Sequence, residues 1–213
     1  MKEKGCIIDV FQKPYVINPL TVSVNDSGKH RLVLDLRDVN KYVQKQKIKF
    51  EGILEAKQYA KKDFFMVKWD MRSGYHHLNI HSEHQQFLGF SWNIDGKDKY
   101  LIFSVLPFGL CSAGHIFTKV VRVLVNYWRS QCFPIIVYLD DGWACDSYER
   151  CARMTKIVHQ DLLDAGFLSN NEKSIFTPTQ KLDWLGLLWN LEQGVIEVPE
   201  NKMEKYREKF HLF

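Results

Sequence analysis

Two adjacent carboxylates constrain this chain more than any other feature. Asp140 and Asp141 stand between Ile135-Ile136-Val137-Tyr138-Leu139 and Gly142-Trp143-Ala144-Cys145. Both flanking runs have the length and apolar character of strands, so the pair is expected at the tip of a β-hairpin. There the neighbouring sheet lowers the local dielectric, and each negative charge makes the other harder to ionise. A divalent cation removes that difficulty. Oxygen-only ligands suit Mg²⁺ or Mn²⁺, which keep waters or substrate phosphates in their remaining positions. A third carboxylate is then expected nearby, and Asp70 is the best candidate. It follows the apolar strand 64–69 and precedes Ser73-Gly74-Tyr75, where the chain can turn closely around a ligand. Three such groups could hold two ions about 4 Å apart, one activating an attacking hydroxyl and one steadying a leaving pyrophosphate, which is nucleotidyl-transfer chemistry. Taken alone, the acidic pair reads equally well as a polar turn joining two strands.

The rest of the chain mixes strands and helices without a regular βαβ rhythm, so the expected class is α+β. Asn25-Asp26-Ser27-Gly28 marks a turn before a strand over 31–36, and Asp95-Gly96 marks a second hairpin between 87–92 and 99–105. Helices are expected over 52–62, over 112–129 with Phe117, Val120, Val121, Leu124 and Tyr127 as the buried stripe, and over 148–165, closed by Gly166. Short strands follow to Leu191 and over 195–198. With 46% hydrophobic and 25% charged residues the chain is a folded domain and not a disordered tail. A net charge of +4 favours an anionic partner only mildly, and the basic runs 41–62 and 202–209 read first as solvated helix faces.

In order along the chain, several blocks resemble those of the reverse transcriptases. They span roughly 29–190. His30-Arg31-Leu32-Val33-Leu34-Asp35-Leu36-Arg37-Asp38-Val39-Asn40-Lys41 resembles the family's fingers strand, and implies that Arg31, with Lys29, grips the incoming triphosphate. Val67-Lys68-Trp69-Asp70-Met71-Arg72-Ser73-Gly74-Tyr75 resembles the motif of the first catalytic aspartate. It implies Asp70 as a metal ligand aided by the Met71 carbonyl, Arg72, Ser73 and Gly74 beside the nucleotide, and Tyr75 as the ring that collides with a 2′-hydroxyl. Leu106-Pro107-Phe108-Gly109-Leu110-Cys111-Ser112-Ala113 is similar to the block that touches the nucleotide, through Phe108 and Gly109. Tyr138-Leu139-Asp140-Asp141 matches the Tyr-x-Asp-Asp hallmark, with Asp140 and Asp141 as the remaining metal ligands and Tyr138 and Leu139 near the primer. Gly166-Phe167, with Lys173 seven residues after the glycine, resembles the segment whose lysine protonates pyrophosphate. Leu182-Asp183-Trp184-Leu185-Gly186 resembles the primer grip, which implies primer or template contacts by Trp184, Leu185 and Gly186.

The resemblance implies a right-hand polymerase with an antiparallel palm sheet backed by helices, two Mg²⁺ or Mn²⁺ ions, dNTP, and an RNA or DNA template with its primer. It places fingers at about 1–62 and 78–106, palm at about 63–77 and 107–198, and the start of a truncated thumb or tail at 199–213. Details such as Ser73-Gly74-Tyr75-His76-His77 and Tyr127-Trp128-Arg129-Ser130 are most similar to the enzymes of DIRS-like, tyrosine-recombinase retrotransposons. Thumb, RNase H and recombinase parts of the same element are the further partners implied. The rival class is a retroelement-derived nucleic-acid-binding protein without processive synthesis. A zinc site from His76, His77, His81, His84 and Glu83 fits no common ligand spacing and is set aside. No apolar run nears the roughly 18 residues that cross a bilayer, and five cysteines form no ordered framework, so an intracellular setting, cytoplasmic or nuclear, is expected.

Overall fold

A computed structural model describes residues 1–24, 28 and 30–210. In chain order its elements are β1 (Ile7–Val10), β2 (Leu20–Val24), β3 (His30–Leu34), α1 (Ile53–Ala56), β4 (Phe65–Asp70), α2 (Ser82–Gln85), β5 (Gly89–Ile94), β6 (Lys97–Phe103) and α3 (Ala113–Ser130). There follow β7 (Ile135–Tyr138), β8 (Asp141–Asp146), α4 (Tyr148–Asp164), β9 (Ile175–Thr179), β10 (Lys181–Trp184), β11 (Leu187–Asn190), β12 (Val195–Glu197) and α5 (Glu200–Phe210). The class is α+β, and every strand ladder is antiparallel. Two compact units divide the chain, one made of residues 1–48 and 73–119, the other of 49–72 and 120–213.

In the first unit, β5 and β6 close through Asp95 and Gly96, both at positive φ (53° and 75°), as a two-residue hairpin turn requires. Strand β1 adds to β6, and β2 pairs with β3. The turn expected at Asn25-Asp26-Ser27-Gly28 lies outside the described residues except for Gly28. Ile7, Leu34, Phe90 and Phe103 of these strands, with Leu36 just after β3, belong to one core.

The second unit is built on a four-stranded sheet in the order β7-β8-β4-β9. Pro178 sits in β9, an edge strand, where a missing amide N–H costs no ladder bond. Along β4 the side chains alternate, so Met66, Lys68 and Asp70 share one face and Phe65, Val67 and Trp69 the other. Met66 packs in a core with Trp143, Cys145, Leu182, Trp184 and Trp189, which joins this sheet to the β10-β11-β12 sheet. On the opposite face Trp69 meets Trp128 of α3 edge to face at 5.8 Å. Helix α4 buries Cys151, Met154, Thr155, Val158 and Leu162. It ends as expected at Gly166, whose φ of 81° lets Gly166 N–H reach Leu163 O and Phe167 N–H reach Leu162 O.

Two expectations need correction. The helix expected over 52–62 is a single turn, Ile53–Ala56. Ala56 is buried and Ile53 and Ala60 pack in part against the same core, but Leu54 and Tyr59 are exposed, so little apolar surface rewards further helix, and Asp63 N–H is drawn to Leu191 O. In α3 the large buried side chains are Phe117, Val121, Val125 and Trp128, whereas Val120 and Tyr127, expected inside, are exposed. Apolar residues at 116, 120, 123 and 127 form a second stripe of the same period, so spacing alone could not choose the face. The large Trp128 side chain did.

Gly142 lies directly opposite Trp69 in the β4–β8 ladder. A Cβ there would stand 2.0 Å from Cε2 of the Trp69 indole, which is itself fully buried. Gly142→Ala should therefore lower stability by about 1–3 kcal/mol through overpacking. A urea midpoint equal to that of the native chain would contradict this packing.

Candidate active site

Strand register brings the expected acids together. Asp70 is the last residue of β4 and lies directly across the ladder from Asp141, the first residue of β8. Opposed like charges on neighbouring strands repel. Leu139 and Asp140 form the two-residue turn between β7 and β8, with Leu139 at φ 56°, a strained setting for a leucine. Met71 N–H donates to the Asp140 carbonyl at 2.9 Å, fastening this turn to the end of β4. Burial, then the charges of Asp140 and Asp70, push the Asp141 carboxyl up to about 6, against a smaller downward pull from Lys173 and Lys68. The three acids thus share one electrostatic environment.

Several supports for this cluster were not visible in sequence. The segment after α4 wraps the end of β4: Asn170 N–H donates to Asp70 O at 2.8 Å, Ser174 Oγ accepts from Asp70 N–H at 3.1 Å, and Arg72 N–H donates to Leu168 O at 2.7 Å. Arg129 donates to both carboxylate oxygens of Glu51, at 2.9 and 2.5 Å, and to Ile135 O at 2.6 Å, anchoring the first residue of β7. The bond to Glu51 holds the Arg129 guanidinium above its ordinary value, so the anchor stays charged. Nothing in the spacing of Glu51 and Arg129 signalled this pair.

Lys173 was expected to face pyrophosphate. Its Nζ lies 3.2 Å from Asp70 Oδ2, placing an ammonium beside the acids. Among the described residues no three His, Cys, Asp or Glu side chains are gathered into a ready metal cage, in the 76–84 stretch or elsewhere. The acids nevertheless suit a hard cation. Their donors are all oxygen, two of them are opposed in register, and Mg²⁺ is usually bound by one or two carboxylates completed by substrate phosphates.

The expected nucleotide-binding residues of the first unit form a separate group. Ser73, at φ 58°, leads into the short 3₁₀ turn Gly74–His77. Tyr75 is half-buried, with its ring 4.9 Å from that of Phe108 and 5.2 Å from that of Phe117. The His76 ring stands against Phe108 at 5.4 Å, and burial with neighbouring His77 keeps its imidazole below the ordinary value. Gly109 sits at φ 96°, and its loop is held from both sides by one amide: Asn40 Nδ2 donates to Gly109 O at 2.8 Å while Asn40 Oδ1 accepts from Cys111 N–H at 2.8 Å. Asp35 and Arg37 form a local ion pair at 2.6 Å, which draws the Asp35 carboxyl below its usual range. Much of the Arg31 to Lys41 block is thus scaffold. Arg31 lies in β3, its side chain is outside the described portion, and Lys29 lies outside the described residues altogether.

At the last block, Leu185 (φ 45°) and Gly186 (φ 73°) form the turn between β10 and β11, so they are presented at a hairpin tip. Trp184 is corrected. Its side chain is only 3% exposed, stacked on Trp143 at 5.6 Å, because the indole completes the core between the two sheets and is not available to a primer. Tyr138 is exposed beside Phe50, ring to ring at 5.5 Å.

Residues 21–188 match the family model described as reverse transcriptase (RNA-dependent DNA polymerase). The chain is 30% identical over 192 residues to the retrovirus-related Pol polyprotein from transposon gypsy of Drosophila melanogaster, covering 87% of this chain and 18% of that protein. It is 26% identical over 190 residues to a putative enzymatic polyprotein of Cassava vein mosaic virus, covering 85% of this chain and 26% of the relative. Among solved structures, the foamy viral protease-reverse transcriptase in complex with dsDNA matches with TM-score 0.81 at 22% identity, over 97% of this chain and 41% of the other. The same viral protein in complex with RNA/DNA hybrid matches with TM-score 0.78 at 21% identity, over 97% and 26%. That likeness is one of fold. The chain spans about a quarter or less of the length of these two curated relatives. A family match over most of the chain, in a fold that sets Asp70 against Asp141, assigns it: this chain belongs to the reverse transcriptase (RNA-dependent DNA polymerase) family.

Proposed function

We propose that this chain carries the polymerase centre of a retrotransposon's RNA-directed DNA polymerase, of the DIRS-like type, adding deoxynucleotides to a primer 3′-hydroxyl on an RNA or DNA template. The observation that carries the reading is the register of β4 against β8, which opposes Asp70 and Asp141 one residue from the Asp140 turn. Two Mg²⁺ or Mn²⁺ ions, when bound, would activate the hydroxyl and neutralise charge building on the phosphates. The chain's own residues have the remaining tasks. Asp70, Asp140 and Asp141, with the Met71 carbonyl, hold those ions. Arg31 and Lys29 grip the triphosphate, Arg72, Ser73, Gly74, Phe108 and Gly109 seat the nucleotide, and Tyr75 bars the 2′-hydroxyl. Tyr138, Leu139, Leu185 and Gly186 guide the primer end. Lys173 leaves Asp70 once its carboxylate is otherwise neutralised, and gives its proton to the departing pyrophosphate.

Among the described residues no helix is long and apolar enough to cross a membrane. A centre that copies a template from dNTP is proposed to work inside the cell, in cytoplasm or nucleus, together with thumb, RNase H and recombinase parts of its element. The test is extension of a DNA primer on an RNA template with Mg²⁺ or Mn²⁺, comparing the native chain with Asp140→Asn. The native chain should extend and the variant should not. Binding of primer–template without any metal-dependent extension would replace this reading with that of a nucleic-acid-binding protein.

A further inference from the structure

The β10–β11 hairpin belongs to a different sheet from the acids, so something must fix its tip relative to them. Part of the join is apolar: Trp143, opposite Lys68 in the β4–β8 ladder, stacks on Trp184. Apolar packing is non-directional, and a flat stack resists separation better than sliding. The polar part includes the Thr179 hydroxyl of β9, which meets both peptide groups of Lys181 where β10 begins, and one side chain that reaches β10 nearer its tip. Lys68 shares a face of β4 with Asp70, and its Nζ donates to the Asp183 carbonyl of β10 at 2.7 Å.

Hairpin geometry explains why that carbonyl is available. The two-residue turn Leu185–Gly186 makes Trp184 and Leu187 the closing, hydrogen-bonded pair, so the next pair, Asp183 and Leu188, turns its peptide groups outward. Strand β10 is the edge of its sheet, and among the described residues no further strand meets that carbonyl. The ammonium therefore caps an edge acceptor two residues before the tip, from a strand whose end carries Asp70. A second lysine holds the tip itself, Lys202 Nζ donating to Gly186 O at 2.9 Å, but it comes from α5 and gives no register with β4.

We propose that Lys68 is a positioning residue: its bond to Asp183 sets the height of the Leu185–Gly186 tip along β4, and so the placement of the primer 3′ end against Asp70 and Asp141. This inference rests on the polymerase reading above. Losing the bond leaves the register that opposes Asp70 and Asp141 in place, removes the weak pull of the ammonium on Asp141, and loosens the tip on the tryptophan stack. Small displacements of a reacting group are costly, since about 1 Å can remove up to about 10²-fold in rate.

The experiment uses the full chain with Lys68→Met and Lys68→Arg, read by steady-state primer extension and by amide hydrogen exchange of residues 183–188. Lys68→Met should lower kcat by about ten- to a hundredfold, with KM for dNTP unmoved, and should speed exchange at the hairpin. Lys68→Arg, which keeps a charged donor of similar reach, should restore both. Unchanged exchange in Lys68→Met, which would point to a purely electrostatic effect on the acids, or a kcat loss that arginine does not rescue, would each overturn the proposal. A native chain that extends no primer defeats the polymerase reading and the kinetic consequence with it, while exchange still decides whether Lys68 holds the hairpin.

Discussion

Replacing Asp141 with Asn should cut metal-dependent primer extension by about 10²–10³-fold or more while making the metal-free chain more stable at pH 8. The first effect follows from removing a proposed metal ligand. The second follows from its surroundings, because burial together with Asp140 and Asp70 raises the Asp141 carboxyl from 3.8 to about 6. A carboxyl that holds its proton more tightly folded than unfolded favours the native state at low pH. That advantage is complete below about pH 4 and is lost as pH rises through about 6. At pH 8 the charge is a burden on the fold. The side chain is partly open to water, so screening leaves about 1 kcal/mol of it, or about 2–4 °C in Tm for a chain of this size. Asn does not titrate, so the native chain should fall below the variant in Tm as pH is raised from 4 to 8. Mg²⁺ should restore the native chain and leave the variant unmoved. Equal melting curves across that range, with and without Mg²⁺, would remove the electrostatic account of the acidic cluster.

Tyr75→Ala should raise ribonucleotide incorporation relative to deoxynucleotide by about 10–100-fold, the scale expected when a pocket loses a steric stop. The ring is well suited to that task. Phe108 and Phe117 flank it at 4.9 and 5.2 Å, so it cannot swing aside cheaply when a larger sugar arrives. Tyr75→Phe keeps the ring and should leave the ratio unchanged, and Phe108→Ala, which removes one flank, should relax it partway. The measurement is single-nucleotide incorporation with matched rNTP and dNTP on one template. An active Ala variant with native discrimination would strip Tyr75 of the proposed role.

The acidic cluster was legible because its parts are short-range signals: an apolar run, a turn and a charge that does not belong there. Asp140, Asp141 and Asp70 could each be placed at a strand end from local pattern alone, and the ladder then opposes two of them. What joins distant segments was not legible. Arg129 with Glu51, Asn40 across the Gly109 loop, and Ser174 and Asn170 around Asp70 are ordinary polar residues until the fold brings their partners near. Trp184 illustrates the converse. Within a block that resembles a nucleic-acid contact, an indole signals surface or core equally, and only its place against Trp143 decides for core. The α3 stripe failed for a related reason, since apolar residues on two faces have the same period and only packing chooses between them.

The indole beneath Gly142 makes positions 69 and 142 a locked pair, with consequences for how such a sequence can drift. A methyl at 142 costs about 1–3 kcal/mol while Trp69 stands, and a smaller residue at 69 leaves a buried void costing about 3–5 kcal/mol until a side chain at 142 fills it. Either first change therefore destabilises the chain, and only the second, compensating one recovers the packing. Lineages that kept the bulky ring would be left with one favoured residue immediately after the acidic pair.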